Sequence, residues 1–338
     1  MFIIWRGFLY NQQSQTEAIL SQYEMEIYEV TKGRGTYICS TDKGVRVLTS
    51  FRGAKEKGEV LRRYLEKLKD AGFSVEQIEK NKEMEAISVD EATGERFLLK
   101  EYITGNEMSV NNINELKKAA SLLAEYHNVA VNITADVVEQ ETDCRHNAFE
   151  EKEKHYRELI KVKNYIRNRK KKTEFERIYL NCYEKMLQTA KESLLILEKV
   201  QEDTPTCCFC HGDYNQHNII WTDTKWQIIN FENFVYNWCI VDLANFLRKM
   251  QEKNDWDIRV GNELLESYTK TRSLSTIEKE KLYGLLLFPE KFWKVTNHYI
   301  NSRKTWISER DIEKLKKVIE QEPKRLKYIQ NIFAIQIE

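Results

Sequence analysis

The segment from His211 to Asn218 constrains the fold of this chain more than any other stretch of the sequence. It is polar, contains an aspartate at Asp213, and lies between two short apolar runs, Cys207–Cys210 and Ile219–Trp221. Apolar runs of this length, bounded by turn-forming residues, predict two strands joined by a tight loop. Such a loop is either an ordinary polar turn or a segment that holds an acid and an amide in fixed positions.

The spacing within this loop is H-x-D-x-x-x-x-N, which is the spacing of a kinase catalytic loop. In that loop the aspartate accepts the proton of the substrate hydroxyl, and the asparagine oxygen coordinates the metal that bridges the nucleotide phosphates. We therefore expect Asp213 to be the catalytic base and Asn218 to be a metal ligand. The flanking strands favour this interpretation over a plain turn.

A second polar element follows another predicted strand. Residues 226–229 lead into Asn230-Phe231-Glu232, where a phosphotransferase carries the metal-binding aspartate of a D-F-G-like element. Asparagine supplies an oxygen but no negative charge, so we expect weakened metal binding at Asn230. Glu232 could supply the missing carboxylate, or it could be an ordinary solvated acid. Asp242 opens an apolar helix and is expected to support the catalytic loop through backbone N–H groups.

Together, the motifs H-G-D-x-x-x-x-N, I-N-F-E and D-L-A resemble the aminoglycoside phosphotransferase and choline kinase superfamily, a branch of the protein-kinase-like fold. Three further segments are similar to CotS-type spore coat proteins of endospore-forming bacteria: Phe246–Lys249, Phe288–Trp293 and Asn301–Trp306. The resemblance extends from about Tyr28 to Phe333. It implies an α+β, two-lobed fold, with a small antiparallel-sheet lobe at residues 1–104 and a mostly helical lobe at residues 105–338.

The first hundred or so residues are compatible with the small lobe. β-rich segments separated by turn residues predict an antiparallel sheet of five strands. These segments are residues 26–32, 35–40, 45–51, 84–88 and 96–102. A helix is expected at residues 59–71, with Gly72 as its stop. Thr104-Gly105 is expected to form the hinge to the second lobe, and Thr104 is a candidate nucleotide-binding residue.

One position of the nucleotide site departs from the family pattern. In an active kinase, the strand that ends here at Phe51 carries the lysine that binds the nucleotide phosphates. By resemblance to the family's L-K-x-F pattern, this cofactor-binding position is Thr49, which cannot supply the charge. Arg46, Arg52 and Lys100 are candidate replacements, although we expect each to be an ordinary solvated cation at a strand edge.

The remainder of the chain is predicted to be helical, and its basic run Arg167–Lys172 could indicate a nucleic-acid partner. Lys+Arg and Asp+Glu number 53 each, which favours a solvated connector between two helices instead. Recurrent aromatic residues towards the C terminus predict a packed helical core. The alternative is a groove that binds a cationic ligand by cation–π contact.

Length and composition limit the class and the compartment of the protein. A chain of 338 residues fits one two-lobed fold. We find no apolar run long enough to span a bilayer, and the apolar start Met1–Tyr10 has no cleavage-site pattern, so it is expected to pack on the small lobe. The 7 cysteines are scattered and odd in number, which predicts a reducing, cytoplasmic environment.

Two functions compete. In the first, the protein is a kinase-like spore coat protein whose nucleotide and metal site is degraded at Thr49 and Asn230, with coat proteins as partners and no cofactor. In the second, it is an active phosphotransferase that uses ATP and Mg²⁺ on the hydroxyl of a small molecule or a protein. Asp213 would then be the base, and Asn218, Asn230 and Glu232 the metal ligands. Neither function involves nucleic acid.

Overall fold

A computed structural model describes residues 15–138, 145–201, 206–302 and 309–334 of the chain. The chain forms two compact units. The first unit consists of the described residues within Met1–Glu107, Asn132–Cys144 and Gln216–Phe234. The second consists of those within Met108–Val131, Arg145–Asn215 and Val235–Glu338. The catalytic-loop motif is therefore divided between the two units after Asn215.

The first unit is built on an antiparallel sheet of five strands in the order β1-β2-β3-β5-β4. The strands are β1 Ile27–Lys32, β2 Thr36–Thr41, β3 Gly44–Phe51, β4 Ser88–Val89 and β5 Arg96–Glu101. This arrangement confirms the predicted sheet, but the fourth strand was predicted at residues 84–88 and in fact begins at Ser88. The reason is Met84, whose φ of 64° is a left-handed conformation that an extended strand does not accommodate.

Helices bury apolar residues on this sheet. Helical residues 15–20 (α1) place Ile19 and Leu20 in a cluster with Leu48 and Leu99 of the sheet. Complete burial of a leucine or isoleucine side chain stabilises a fold by about 1.5–3 kcal/mol. These contacts therefore contribute directly to the stability of the first unit.

The helix predicted at residues 59–71 is α2, Lys55–Asp70, which begins four residues earlier than predicted. Its apolar stripe is almost completely buried and consists of Val60, Leu61, Tyr64, Leu65 and Leu68. Gly72 ends it as expected: its φ of 83° suits glycine, and its N–H donates to the Lys69 carbonyl at 2.9 Å.

A second, three-stranded sheet in the first unit carries two of the candidate site residues. Its order is β6-β8-β9, where β6 is Asn106–Glu107, β8 is Ile219–Trp221 and β9 is Trp226–Ile228. Asn218 closes a 3-10 helix immediately before β8, and Asn230 lies two residues after the end of β9. Because β8 and β9 are antiparallel neighbours, the two asparagines lie at the same end of this hairpin.

The second unit is mostly helical, as predicted. It also contains a two-stranded antiparallel sheet of β7, Cys207–Cys210, and β10, Val235–Trp238. The helices are α3 Ile113–Val138, which extends into the first unit, α4 Ala148–Asn168, α5 Glu174–Leu180, α6 Tyr183–Val200, α7 Ile240–Lys253, α8 Ile258–Thr271, α9 Thr276–Leu287, α10 Glu290–Asn301 and α11 Glu309–Ala334. None of the helices in the described ranges is both long and apolar enough to cross a membrane.

The basic run Arg167–Lys172 connects two helices, as predicted. Its first two residues, Arg167 and Asn168, end α4. The remaining residues precede Thr173, whose side chain caps α5 by accepting a hydrogen bond from Glu176 N–H. Arg169 pairs with the Glu176 carboxylate at 2.9 Å. The run therefore links two helix ends.

The predicted aromatic core is present between helices of the second unit. Phe292 of α10 stacks on Tyr179 of α5 with ring centroids 5.6 Å apart, and Phe288 and Phe292 are each 1% exposed. Two other parts of the sequence analysis, Met1–Tyr10 and residues 303–306 of the segment Asn301–Trp306, lie outside the described residues.

Candidate functional site

The start of the catalytic loop, in the second unit, is held by a buried carboxylate. Asp242, in the first turn of α7, accepts hydrogen bonds from the backbone N–H groups of His211 at 2.5 Å and Gly212 at 3.0 Å. Burial alone would raise the pKa of Asp242, but hydrogen bonding and charge from His127 and His211 hold this pKa below its usual value. The predicted support role of Asp242 is therefore present in the geometry.

His127 stands behind this carboxylate. It is completely buried, its Nδ1 lies 2.7 Å from the Tyr268 hydroxyl, and its Nε2 lies 3.7 Å from Asp242 Oδ2. Burial lowers the pKa of His127, against the hydrogen bond and charge of Asp242, which act to raise it. His127 is therefore a core residue of α3.

Asp213, the predicted base, is partly exposed and paired with a lysine. Its side chain is 44% exposed, and its Oδ1 lies 2.6 Å from Nζ of Lys249. Its backbone N–H donates to Nδ1 of His211 at 3.1 Å, which fixes the turn. Lys249 was not among the site residues predicted from the sequence, although a signal was present. Asp242 and Lys249 are seven residues apart on α7, and this spacing places both on one face of a helix.

The candidate metal ligands Asn218 and Asn230 contact each other directly within the first unit. Asn230 donates its Nδ2 to Asn218 Oδ1 at 2.8 Å. Its backbone is left-handed, with φ 66° and ψ 57°, a conformation that asparagine tolerates better than most residues. The backbone N–H of Asn230 donates to Glu76 Oε1 at 2.6 Å. The first contact fixes the Asn230 side chain, and the second fixes its backbone.

Lys100 of β5 is the cation of this group. Its Nζ donates to Asn230 Oδ1 at 2.8 Å, to Glu76 Oε1 at 3.1 Å and to Glu232 Oε1. Burial would lower the pKa of Lys100, but the charges of Glu76 and Glu232 raise it overall. The lysine is therefore held charged between two carboxylates.

The expectation that Lys100 is a solvated cation is wrong, since the residue is 2% exposed. The cause is the position of β5, which lies between β3 and β4 and not at an edge of the sheet. The expectation fits Arg46 no better, because its side chain is 13% exposed and paired with Glu79 at 2.8 Å. Arg52, by contrast, is exposed.

The sheet register relates Lys100 to the position predicted for the phosphate-binding lysine. Thr49 pairs with Leu98, and Val47 pairs with Lys100. Paired residues share a face of a sheet, and so do residues two apart on one strand. Lys100 therefore lies on the same face as Thr49, displaced by one strand. The chain places an ammonium on this face from β5 instead of β3.

Glu76 is a site residue that the sequence did not reveal. It lies in the irregular segment between α2 and β4 and is 3% exposed. Burial raises the pKa of Glu76 most, with the nearby Glu232 acting in the same direction against the charge of Lys100. No periodic pattern marks this segment, so only the folded contacts identify the residue. Glu59 of α2 is not part of this group: it pairs with Arg62 on the helix surface.

The oxygen atoms available to a metal ion in this group are largely engaged. Asn218 Oδ1 accepts a hydrogen bond from Asn230, and Asn230 Oδ1 accepts one from Lys100. Glu232 is bonded to the same ammonium. Mg²⁺ requires several oxygen ligands in near-octahedral geometry, commonly including carboxylates. As arranged, these side chains do not fit a resident Mg²⁺ ion.

The predicted hinge lies where the chain leaves the large sheet for the small one. Thr104 is exposed, and Gly105 packs against the backbone of β8. A Cβ atom added to Gly105 would lie 2.5 Å from Ile220 Cγ2 and closer still to the carbonyl oxygen of Trp221. Only glycine fits this approach. The role of Thr104 in nucleotide binding stays a prediction.

A further group of possible metal ligands lies elsewhere in the second unit. Glu151, His155 and Glu290 bring three ligand atoms within 4.8 Å of one another. The Lys152 ammonium is 2.9 Å from Glu290 Oε2 and 3.8 Å from Glu151 Oε1. The ammonium of Lys152 therefore already supplies a positive charge to these carboxylates. Lys152 and His155 together lower the pKa of Glu290 against the effect of burial.

Comparisons with known proteins place these arrangements in a family. Residues 17–283 match the model of the phosphotransferase enzyme family APH. A comparison with curated protein sequences gave no match.

Solved structures show the same fold at low sequence identity. An aminoglycoside phosphotransferase from Alicyclobacillus acidocaldarius has a TM-score of 0.77 and 16% identity, over 94% of this chain and 95% of that one. A spectinomycin phosphotransferase in complex with ADP and spectinomycin has a TM-score of 0.67 and 14% identity, over 94% and 98%. A microcompartment-associated aminopropanol kinase has a TM-score of 0.63 and 12% identity, over 94% and 97%. The family match covers most of the sequence, and the chain therefore belongs to the APH phosphotransferase enzyme family and has its kinase-like fold.

Proposed function

We propose that this protein is a kinase-like member of the phosphotransferase family in which metal-dependent phosphoryl transfer is reduced, and that it acts mainly through binding. The hydrogen bond from Asn230 Nδ2 to Asn218 Oδ1, 2.8 Å long, carries the proposal. Both residues occupy positions where the family motif has metal ligands. Their mutual hydrogen bond engages an amide oxygen that a hard cation would need.

The orientation of the Asn230 amide follows from the chemistry of its neighbour. Lys100 Nζ lies 2.8 Å from the Asn230 Oδ1 atom, and an ammonium group has donors only. A flipped amide would place donor against donor, so the Nδ2 group must be directed at Asn218. An aspartate in this place would direct a second oxygen at the metal position, whereas this chain directs an N–H group there.

The contacts that are missing at Asn230 and Thr49 are strong enough for their loss to affect activity. A single electrostatic contact to a reacting group contributes about 2.7–4 kcal/mol to catalysis. The chain lacks the carboxylate at Asn230 and the strand lysine at Thr49. Unless other groups replace these contacts, we expect phosphoryl transfer to be slower by several orders of magnitude.

Titration calorimetry with Mg-ATP tests the proposal. The natural protein is expected to bind Mg-ATP weakly, and Asn230→Asp is expected to bind it more tightly because a carboxylate oxygen replaces the N–H group. Asn114→Asp, the same change at an exposed residue of α3, is the matched control and is expected to leave the affinity unchanged. Tight binding with ATP consumption that depends on Asp213 in the natural protein would contradict the proposal.

The second candidate function is an active ATP- and Mg²⁺-dependent phosphotransferase with a small-molecule or protein hydroxyl as acceptor. The buried ammonium of Lys100 on the face of Thr49 favours it. Lys100 would bind the nucleotide phosphates, Glu232 would supply the missing carboxylate, and Asp213 would be the base. Similar structures contain ADP in a spectinomycin phosphotransferase, and AMP-PNP with Ca²⁺ in an amicoumacin kinase.

The two candidates differ in what Lys100 does. If the protein is an active phosphotransferase, Lys100→Gln should abolish Mg-ATP binding, and Asp213→Asn should retain binding but lose turnover. If binding is the function, any ATP consumption that can be measured should be the same in the natural protein and in both variants. Assays with a panel of small hydroxyl compounds as acceptors separate these results.

A place in the spore coat is the more specific part of the proposal and is supported by sequence resemblance at Phe246–Lys249 and Phe288–Trp293. Both segments are mostly buried in the second unit, so they contribute to its core. A fluorescent fusion expressed in an endospore-forming bacterium is expected to accumulate at the spore surface. A fusion that stays evenly distributed in the mother cell would contradict a coat role, with coat proteins as partners, without affecting the biochemical proposal.

A further inference from the structure

We propose that Lys249 makes the acceptor side of Asp213 selective for an anionic ligand, a small hydroxy compound that carries a negative charge. The Lys249 ammonium lies 2.6 Å from the Asp213 carboxylate, so a ligand that approaches this carboxylate also meets a positive charge. The inference rests on the proposed function only in taking Asp213 as the residue that faces the acceptor. It holds whether or not phosphoryl transfer occurs.

The Lys249–Asp213 pair can exchange partners at low cost. The two side chains are 21% and 44% exposed, respectively, and ion pairs with this much solvent access contribute little to stability. A ligand anion can therefore take over part of the ammonium's hydrogen bonding. Charge-assisted hydrogen bonds of this kind are about twice as strong as neutral ones.

Helix α10, which is linked to α7 by an ion pair, adds cations that share their acidic partners with other cations. Lys291 of α10 lies 3.2 Å from Glu252 of α7 and is 48% exposed. The same Glu252 carboxylate is paired with Arg248 at 2.5 Å. The Glu252 carboxylate is thus shared by two cations. One of them, Arg248, directly precedes Lys249 in the sequence. The charge of Lys291 is only partly compensated.

Lys294 repeats this relationship one turn further along α10. It lies 3.6 Å from Glu290 and is 47% exposed, while Lys152 holds the same carboxylate at 2.9 Å. Partial burial lowers the pKa of Lys294, and the positive charges of Arg248, Lys152 and Lys249 lower it further. These cations therefore act on one another, and a bound anion would relieve their repulsion.

A cationic acceptor is disfavoured by the same geometry. An amine that approaches Asp213 would have to displace the Lys249 ammonium and would then remain beside it. Like charges placed together are a common means of rejecting a wrong ligand. The site therefore differs in charge preference from one that accepts an amino alcohol or a quaternary ammonium compound.

A matched set of probes tests the inference: 3-hydroxypropanoate, 3-aminopropan-1-ol and propane-1,3-diol have similar size and differ in charge. Saturation-transfer NMR without nucleotide or metal is suited to the millimolar affinities that such small ligands can reach. The anion is expected to bind best and the cation worst. Equal or tighter binding of the cation overturns the inference, and so does the absence of any saturation transfer from the protein to the anion.

Variants assign the selectivity to Lys249. Lys249→Gln is expected to weaken 3-hydroxypropanoate binding about five- to tenfold, whereas Lys249→Arg keeps the charge and should keep the preference. Lys270→Gln removes an exposed lysine of α8 and controls for total charge. Unchanged selectivity in Lys249→Gln overturns the inference. Because no nucleotide is present, failure here is distinguishable from tight Mg-ATP binding, which would overturn the proposed function alone.

Discussion

Asn230 donates its side-chain amide to Asn218 Oδ1 over 2.8 Å, where the family motif would place a metal ion between two oxygen ligands. The same amide accepts from the buried Lys100. Asn230 therefore connects an ammonium to the catalytic-loop asparagine, and its N–H group completes a network of protein hydrogen bonds. An oxygen in place of that N–H group would leave two acceptors facing each other.

The first prediction concerns metal-dependent stability. Asn230→Asp is expected to lower the free energy of unfolding by about 1–3 kcal/mol without metal, because the Asn218 oxygen loses its donor. The new carboxylate also joins Glu76 and Glu232 around one ammonium. Added Mg²⁺ is expected to restore part of the loss, since an ion bound only to the folded state stabilises it.

Urea unfolding with Mg²⁺ and with EDTA measures both effects. The natural protein and the exposed control Asn114→Asp are expected to show the same stability in the two solutions. If the stability of Asn230→Asp does not respond to Mg²⁺, the two side chains do not form a metal position.

The second prediction is that Lys100→Met destabilises the protein by about 3–5 kcal/mol, because it leaves two acids without their buried cation. Adding Glu76→Gln and Glu232→Gln to this variant should recover part of the loss, since the uncompensated charges are removed. Unfolding by urea gives the energies, and Lys80→Met, at an exposed position, is the control. Energies that simply add across the three changes would show that the residues do not act as one group.

The parts of the fold that sequence predicts are those with regular patterns. The β-rich strands follow from the turn residues that bound them, and the helix before Gly72 follows from its apolar face and its stop signal. The structure confirms the five-stranded sheet and the helix, with a shift of the fourth strand. Lys100 does not follow, because a lysine near the end of a strand is usually solvated, and only the sheet order places β5 in the interior. Its partner Glu76 comes from an irregular segment without any periodic signal.

The sequence indicated which residues belong to the candidate site, but not which hydrogen bonds and ion pairs join them. The catalytic-loop spacing identified Asp213 and Asn218, and the helix start identified Asp242 as a support. Identifying Lys249, the lysine beside Asp213, also requires placing Asp242 and Lys249 on one face of α7. The hydrogen bond between Asn218 and Asn230 depends on a left-handed backbone at Asn230, which the sequence does not specify.

The third prediction is a pH dependence due to Asp242. Its pKa is lowered in the folded state, so its contribution to stability is present above the unfolded pKa of about 3.9 and is lost as the pH falls through the folded value. Asp242→Asn should therefore lose stability at pH 7, by about 1.5–3 kcal/mol for each weakened charged hydrogen bond. The difference in unfolding free energy between Asp242→Asn and the natural protein should become smaller in acid.

Urea unfolding of both proteins between pH 7 and pH 3 measures this difference. Asp223→Asn, at an exposed turn, is expected to follow the natural protein at every pH. A difference between Asp242→Asn and the natural protein that stays constant with pH would show that ionised Asp242 is not what holds the loop.

The fourth prediction concerns the junction between the two sheets of the first unit. In Gly105→Ala, the added methyl group would overlap the Trp221 carbonyl oxygen and approach Ile220 Cγ2 within 2.5 Å. A backbone atom cannot move aside as a side-chain end can, so the pairing of Asn106 with Trp221 must shift. We expect the free energy of unfolding to fall by about 1–3 kcal/mol and hydrogen exchange to become faster at residues 106–107 and 219–221.

Thr104→Ala, at the exposed neighbouring residue, is the control, and its free energy of unfolding should stay within about 0.5 kcal/mol of that of the natural protein. Native-like exchange in Gly105→Ala would mean that the junction can adapt, and that the close approach does not require glycine.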